Sequence, residues 1–507
     1  MPSSMTAPAG PSPTPVRGSA ATPSPGGLTR MEWGAVGVLV AVALALRLRH
    51  LGDGLWYDEI QTLVDYVRLP FGDLISTYDS KNQHPFFSVL AHGSFALFGE
   101  SAWALRLPAA LFGALGPVAV YLLGRYVVAR EEAFTAAALL AVSSHHIWFS
   151  QNARGYTGLM FLATISTLAF LRLLQAREAG RGTVALYAVA SALALYTHMT
   201  AAFQLAAHGL VWLVARRQAP DGGRRAFVAM VLGGLGGVLL YLPVLQSLAP
   251  TLLATVRPAA AGPSAAAAAS QVAWKSPWWL VTETLGVLSR GVPGGYLGLA
   301  VVAGIGVAGL VRYARERPLA LALFVVPGVV TVVAILALRH NLWPRFFFFL
   351  TGFILLVGVR GWFWVASLAG RWARPVQLAG ATVAVLALSG TATRAWGPKQ
   401  QYEEAVAFVE ATLAPGDSAA TVDLTNYPVH AWLGRAWPVL RTESDLAGLE
   451  ARSRRTLVLT TFPVRLLAEA PAVAARLAAR YDTVRVFPGT VNGGDIVVLG
   501  SRRGESE

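Results

Sequence analysis

Residues 33–59 read WGAVGVLVAVALALRLRHLGDGLWYDE. The run from Trp33 to Leu51 is almost wholly apolar, and a helix needs roughly 17–25 residues to cross a hydrocarbon core of about 30 Å. It has no small-residue cleavage site and leads straight into a polar motif, so it predicts a retained anchor and not a removable signal. Beyond it come Trp56, Tyr57, Asp58 and Glu59, with Asp65 further on. A short helix here puts Asp58, Gln61 or Thr62, and Asp65 on one face. Acids beside a bilayer are costly unless they serve a site or meet solvent. A helix cap with a solvated acidic face is the alternative.

The whole chain extends this pattern. Of its 507 residues 55% are hydrophobic and 13% charged, where a globular protein is about one-quarter charged. That balance excludes a soluble enzyme. The net charge of +14 comes mostly from arginines set between apolar segments, a pattern of membrane topology that implies no nucleic-acid partner. With no cysteine, disulfides, thiolate metal sites and thiol nucleophiles are excluded.

Arginines mark alternate loops: Arg125 and Arg130; Arg172, Arg177 and Arg181; Arg216, Arg217, Arg224 and Arg225; Arg312, Arg315 and Arg317; Arg371 and Arg374. Short cytoplasmic loops concentrate such charge. The count predicts eleven spans, at 33–51, 103–124, 133–149, 156–174, 183–199, 200–215, 226–246, 293–311, 318–338, 342–360 and 376–394. Residues 1–30, rich in Pro, Ser, Ala and Gly, form a disordered cytoplasmic leader in this reading. Residues 31–397 form the membrane domain, with a first outer loop at 52–102. Pro85 to Gly99 is too short to cross and is expected along the outer face. Residues 250–275 read as a mobile outer loop. Residues 398–507 read as a small extracytoplasmic α/β domain, with a helix at Tyr402–Leu413 and strands at Ala419–Leu424, Thr456–Thr460, Thr483–Phe487 and Asp495–Leu499.

Three more polar clusters fall at outer ends. Asp79, Lys81, Asn82, Gln83 and His84 precede Pro85, which suits a first helical turn where backbone N–H groups favour anions. Residues Ser150 to Tyr156 include Gln151 and Arg154, and residues Arg339 to Arg345 hold two more arginines. Positive charge is disfavoured on this side, whereas a guanidinium matches phosphate oxygens in a two-pronged fit. A snorkelling arginine at a helix end is the alternative. His198 reads as a packed polar group at the outer surface, and adjacent His145 and His146 make a poor chelate.

The ordered set Trp56-Tyr57-Asp58-Glu59, His84-Pro85, Leu97-Phe98-Gly99, Arg106-Leu107-Pro108, Leu123-Gly124-Arg125, Ser150 to Tyr156 and Tyr196-Thr197-His198 resembles bacterial GT-C glycosyltransferases. The similarity, over residues 31–360, is to relatives of protein O-mannosyltransferases and of the aminoarabinose transferases that act on lipid A. Many relatives have His-Pro-Pro where this chain has His84-Pro85-Phe86. The resemblance implies a polytopic α-helical GT-C fold with juxtamembrane helices on the outer face, in the membrane of a bacterial cell envelope. It implies a polyprenyl-phosphate sugar as donor and a lipid, glycan or protein as acceptor. Asp58 is the expected general base with Glu59 supporting it. Arg345, Arg339, Arg154 and Lys81 are expected at the donor phosphate, and Asp79, His84, Gln151, Tyr156 and His198 around the substrates. Asp58, Asp79 and His84 could also ligate a divalent cation such as Mg2+ or Mn2+. Two other classes stay open: a transporter or flippase of a lipid-linked substrate, and an inactive assembly subunit.

Overall fold

The computed structural model describes residues 26–502 except 81, 176–179, 218, 257–276, 293 and 339–341. Most of the leader and of the loop expected at 250–275 lies outside the described residues, as do Lys81 and Arg339.

Helix α1 (Arg30–Leu48) opens the chain. Thr29 caps it, with Glu32 completing the reciprocal capping pair. The loop at 52–102 holds α2 (Tyr57–Thr62), α3 (Phe71–Ser76) and α4 (Pro85–Phe98). The bundle continues with α5 (Ala102–Gly124), α6 (Arg130–Val142), α7 (Ser144–Ser150), α8 (Tyr156–Gln175), α9 (Arg181–Thr197), α10 (Ala201–Ala215) and α11 (Pro220–Tyr241). Then come α12 (Leu245–Val256), α13 (Pro277–Gly291), α14 (Gly295–Glu316), α15 (Pro318–Ala337), α16 (Thr351–Ser367) and α17 (Ala373–Ser389). A tight 3-10 turn, Pro344–Leu350, leads into α16.

Helical segments stand at the eleven expected positions, but eight in the described residues are long and apolar enough to cross a membrane; α6, α9 and α10, at 133–149, 183–199 and 200–215, are shorter than such a span. Trp33, Val38, Leu235, Val301, Val329 and Leu386 are each more than half exposed, which is tolerable when lipid is the solvent. Helices α14 and α16 pack closely because Gly309 and Gly361 face the carbonyls of Val357 and Ile305, where any side chain would collide.

The expected span at 133–149 is not one helix. It breaks at Ser143, between α6 and α7. The buried Arg47 donates to the Ala141 carbonyl at 3.0 Å and the Leu140 carbonyl at 3.5 Å, which replaces bonds that the break removes. Helix α4 packs against α5 and α9 at one end of the bundle. Its first residue follows His84, which packs on His198 beyond the end of α9, and its Ser94 donates to the Ala104 carbonyl at the start of α5, 2.7 Å away.

The opposite end carries Glu32–Arg125 at 3.2 Å and Glu131–Arg374 at 3.5 Å, so arginines of the first and fifth marked loops lie at that end of the bundle.

After α18 (Tyr402–Thr412) come strands β1 (Ser418–Val422), β2 (Val439–Leu440), β3 (Thr456–Thr460), β4 (Tyr481–Phe487) and β5 (Ile496–Ser501), in sheet order β2-β1-β3-β5-β4. Strands β1, β2 and β3 are parallel, and β5 runs antiparallel to β3 and β4. Strand β2 and the helices α19 (Glu443–Ala451), α20 (Pro463–Glu469) and α21 (Pro471–Arg480) were not expected from the sequence. This domain shares a core with the 52–102 loop: Leu55, Ile60 and Phe87 pack with Tyr402, Val406 and Val498. Each fully buried side chain of this size contributes about 1.5–3 kcal/mol.

Candidate active site

The 52–102 loop is held by one buried ion pair. Arg106, near the start of α5, uses all five guanidinium N–H groups. Two meet Glu59 at 2.7 and 2.6 Å, two meet the carbonyls of Leu51 and Asp53 at 2.9 and 2.6 Å, and one meets that of Gly54 at 2.9 Å. Glu59 also accepts from the Ala153 amide at 2.7 Å. Burial pushes the Glu59 carboxyl up, but Arg106 and Lys399 together carry it below its usual range. Glu59 is fully buried, with its carboxylate committed to Arg106 and the Ala153 amide.

Asp58, on the other side of α2, is mostly shielded but not closed off. Its Oδ2 lies 3.5 Å from Arg154 and 3.8 Å from Arg345. Arg154 is buried and also donates to the side chain of Asn82, which in turn donates to Gln61 at 2.7 Å. Arg345 is about 40% exposed and projects from the 3-10 turn over Trp343, 5.3 Å from its ring centre.

The other expected residues divide. His84, Tyr156 and His198 meet as a ring cluster with centroids 4.9–5.8 Å apart. Burial, reinforced by Arg154, His198 and Arg345, holds His84 well below its usual pKa, so it is neutral. Gln151 is buried and donates to the Arg47 carbonyl at 3.0 Å, so its amide is committed to the end of α1. Asp79 is exposed. Among the described residues no three His, Cys, Asp or Glu side chains gather where they could hold a metal ion. The set Asp58, Asp79 and His84 is therefore not assembled, and Asp58 faces two guanidinium groups instead.

Asp58 and Arg345 line a cavity of about 1830 Å³. Below them its walls are apolar, formed by Leu139 of α6, Val301 and Ile305 of α14, Leu355 of α16, and Ala384 of α17. It is also walled by Tyr57 and by Phe462, Arg465 and the 489–493 loop of the C-terminal domain. The roles of Arg106 and Lys399 were not read from the sequence. A lone arginine at the outer end of a span was the signal for the first. Nothing local marked Lys399, which is buried and donates to the Gln151 carbonyl at 2.5 Å.

Comparison with known proteins fits this architecture. Residues 82–247 match the family described as Dolichyl-phosphate-mannose-protein mannosyltransferase. The crystal structure of ArnT from Cupriavidus metallidurans in the apo state is similar at 16% identity and a TM-score of 0.50, covering 94% of this chain and 100% of that one. ArnT bound to undecaprenyl phosphate matches at 15% identity and 0.47, over the same shares. The Archaeoglobus fulgidus oligosaccharyltransferase in complex with Zn and sulfate matches at 12% identity and 0.50, covering 91% of this chain and 72% of that one. No curated protein sequence matches the chain. The resemblance read from the sequence is met by family pattern and by architecture: this is a membrane-spanning chain of the GT-C fold, whose residues 82–247 carry the pattern of the dolichyl-phosphate-mannose-protein mannosyltransferases.

Proposed function

We propose that the chain is a glycosyltransferase that moves a sugar from a polyprenyl-phosphate donor to an acceptor hydroxyl at the outer membrane face, with inversion. The observation that carries this reading is the placement of Asp58 between Arg154 and Arg345, where an apolar trough meets a polar cleft. The family pattern over residues 82–247 supports it.

The trough between α6, α14, α16 and α17 takes the polyprenyl chain. Arg345, which lines the cavity, meets the donor phosphate, with Arg339 as a candidate second ligand. Arg154 orients Asp58 from the buried side through Asn82. Asp58 removes the proton of the acceptor hydroxyl as its oxygen attacks the anomeric carbon. The bond from that carbon to the phosphate oxygen breaks, and its electrons go to the phosphate. The leaving group needs no proton, because Arg345 stabilises the charge it gains. Glu59 and Arg106 hold the loop that carries the base. The chain sits in a bacterial cytoplasmic membrane, with its C-terminal domain on the same outer side.

General-base help is worth about 100-fold to 10,000-fold in rate. Asp58→Asn should lose sugar transfer on that scale while polyprenyl phosphate still binds. A folded variant that binds the lipid and transfers normally would move the base to Asp65 or Asp79. Movement of lipid-linked sugar across the bilayer with no new glycosidic bond would make the chain a transporter.

A further inference from the structure

The topology of the outer sheet brings three loops to one place. Strands β1 and β3 are adjacent and parallel, so their carboxyl ends open to the same side. Strand β5 is antiparallel to β3, with Thr460 opposite Val497, so the loop that enters β5 arrives at that end too. In open α/β sheets ligands bind beyond the carboxyl ends of the strands. Here these ends face the cavity that holds Asp58: Phe462, Arg465, Thr490 and Asn492 line it together with Tyr57.

Backbone conformation marks the same place. Asp423 follows β1 with φ of 49°, and Phe462 follows β3 with φ of 46°. A non-glycine residue in the left-handed region is uncommon and concentrates at functional sites. Asp423 accepts from Arg465 Nε at 3.1 Å, while the terminal nitrogens of Arg465 carry no other hydrogen bond among the described residues. The loop is held in place from beneath, since Trp148 donates to Thr490 at 2.9 Å and Gln400 donates to the Gly494 carbonyl at 2.9 Å.

We infer that this cleft is the acceptor subsite and that it takes a neutral saccharide. This rests on the glycosyltransferase reading above. Aromatic faces at Tyr57 and Phe462 suit the apolar face of a sugar ring, and a few fixed polar groups set its orientation. Arg465 lines the cavity and is neutralised by Asp423, so its terminal N–H groups suit hydroxyls better than an anion, which would call for an unpaired cation. An extended peptide would pair with a sheet edge, yet neither edge strand, β2 or β4, contributes a residue to the cavity wall.

The test uses the full chain in lipid nanodiscs with undecaprenyl phosphate, and saturation-transfer NMR on methyl α-mannoside, α-mannobiose, an arabinan disaccharide and a serine-containing hexapeptide. Lipid-phosphate binding is measured in the same samples. Wild type should saturate at least one saccharide. Arg465→Gln should weaken that binding about tenfold or more, as loss of a charged hydrogen-bonding group does, and leave lipid-phosphate binding unchanged. Arg465→Lys, which keeps the charge beside Asp423 but lacks the fork, should fall between them. Saturation of the peptide alone, of no probe at all, or equal saccharide binding by both variants would overturn the subsite while the donor reading stands. Failure of wild type to bind undecaprenyl phosphate would instead overturn the donor reading.

Discussion

Replacing Arg106 by Met tests how the site is held. The substitution removes both hydrogen bonds to Glu59 and leaves its carboxylate fully buried without its nearest counter-charge. Breaking a buried ion pair by removing one partner costs about 3–5 kcal/mol. The carbonyls of Leu51, Asp53 and Gly54 also lose their donor. Asp53 and Gly54 are half-buried, where water can replace it, but Leu51 is buried and its carbonyl adds about 1–3 kcal/mol. The sum, about 4–8 kcal/mol, is comparable to the whole stability of many domains, so the loop carrying Asp58 should come loose even if the bundle persists. In Glu59→Leu with Arg106→Met no buried charge remains at the pair, and much of the ion-pair cost should return. The carbonyls stay unmet, so transfer should remain impaired. Equilibrium unfolding in micelles, followed by tryptophan fluorescence, should give a coupling of about 3 kcal/mol in the double-mutant cycle. Arg106→Met within 1 kcal/mol of wild type, or no coupling between the sites, would refute the claim that this pair fixes the loop.

Arg345→Ala should weaken polyprenyl-phosphate binding while the folded state persists, and Arg345→Lys should restore it only in part for want of the planar fork; calorimetric titration with the lipid phosphate checks both. Burial, with the charge of Arg106 added, pulls the Lys399 ammonium down to about 7 from 10.5, against Glu59 and Asp53. Between those values unfolding takes up a proton, so stability should rise from pH 7 towards pH 10 by at most about 1.4 kcal/mol per unit, with the penalty fully present below pH 7. Lys399→Met should flatten that rise, and an unchanged slope would reject Lys399 as its source. In a chain with no native thiol, Ser444→Cys should react with an impermeant maleimide only from outside the cell and Arg371→Cys only from the cytoplasm; the reverse pattern would invert the topology.

The membrane class was legible because hydropathy and arginine spacing are properties of short windows, and each span satisfies its own backbone hydrogen bonds. The acid after the anchor was legible for the same reason: Asp58 lies only ten residues beyond the last residue of α1. What surrounds it was not. Glu59 and Arg106 are 47 positions apart, and nothing local tells a bracing carboxylate from a reacting one. Gln151 belongs to the same motif as Arg154, yet its amide closes the end of α1 while Arg154 meets Asp58. The break at Ser143 depends on Arg47 reaching across from another helix. The outer domain's helices α19 to α21 were missed because they are short, and its share in the cavity arises only when parallel β1 and β3 and antiparallel β5 bring their loops together. Sequence fixes which segments enter lipid, since that is decided by local transfer free energy, whereas which charges meet is decided by packing among segments far apart in the chain.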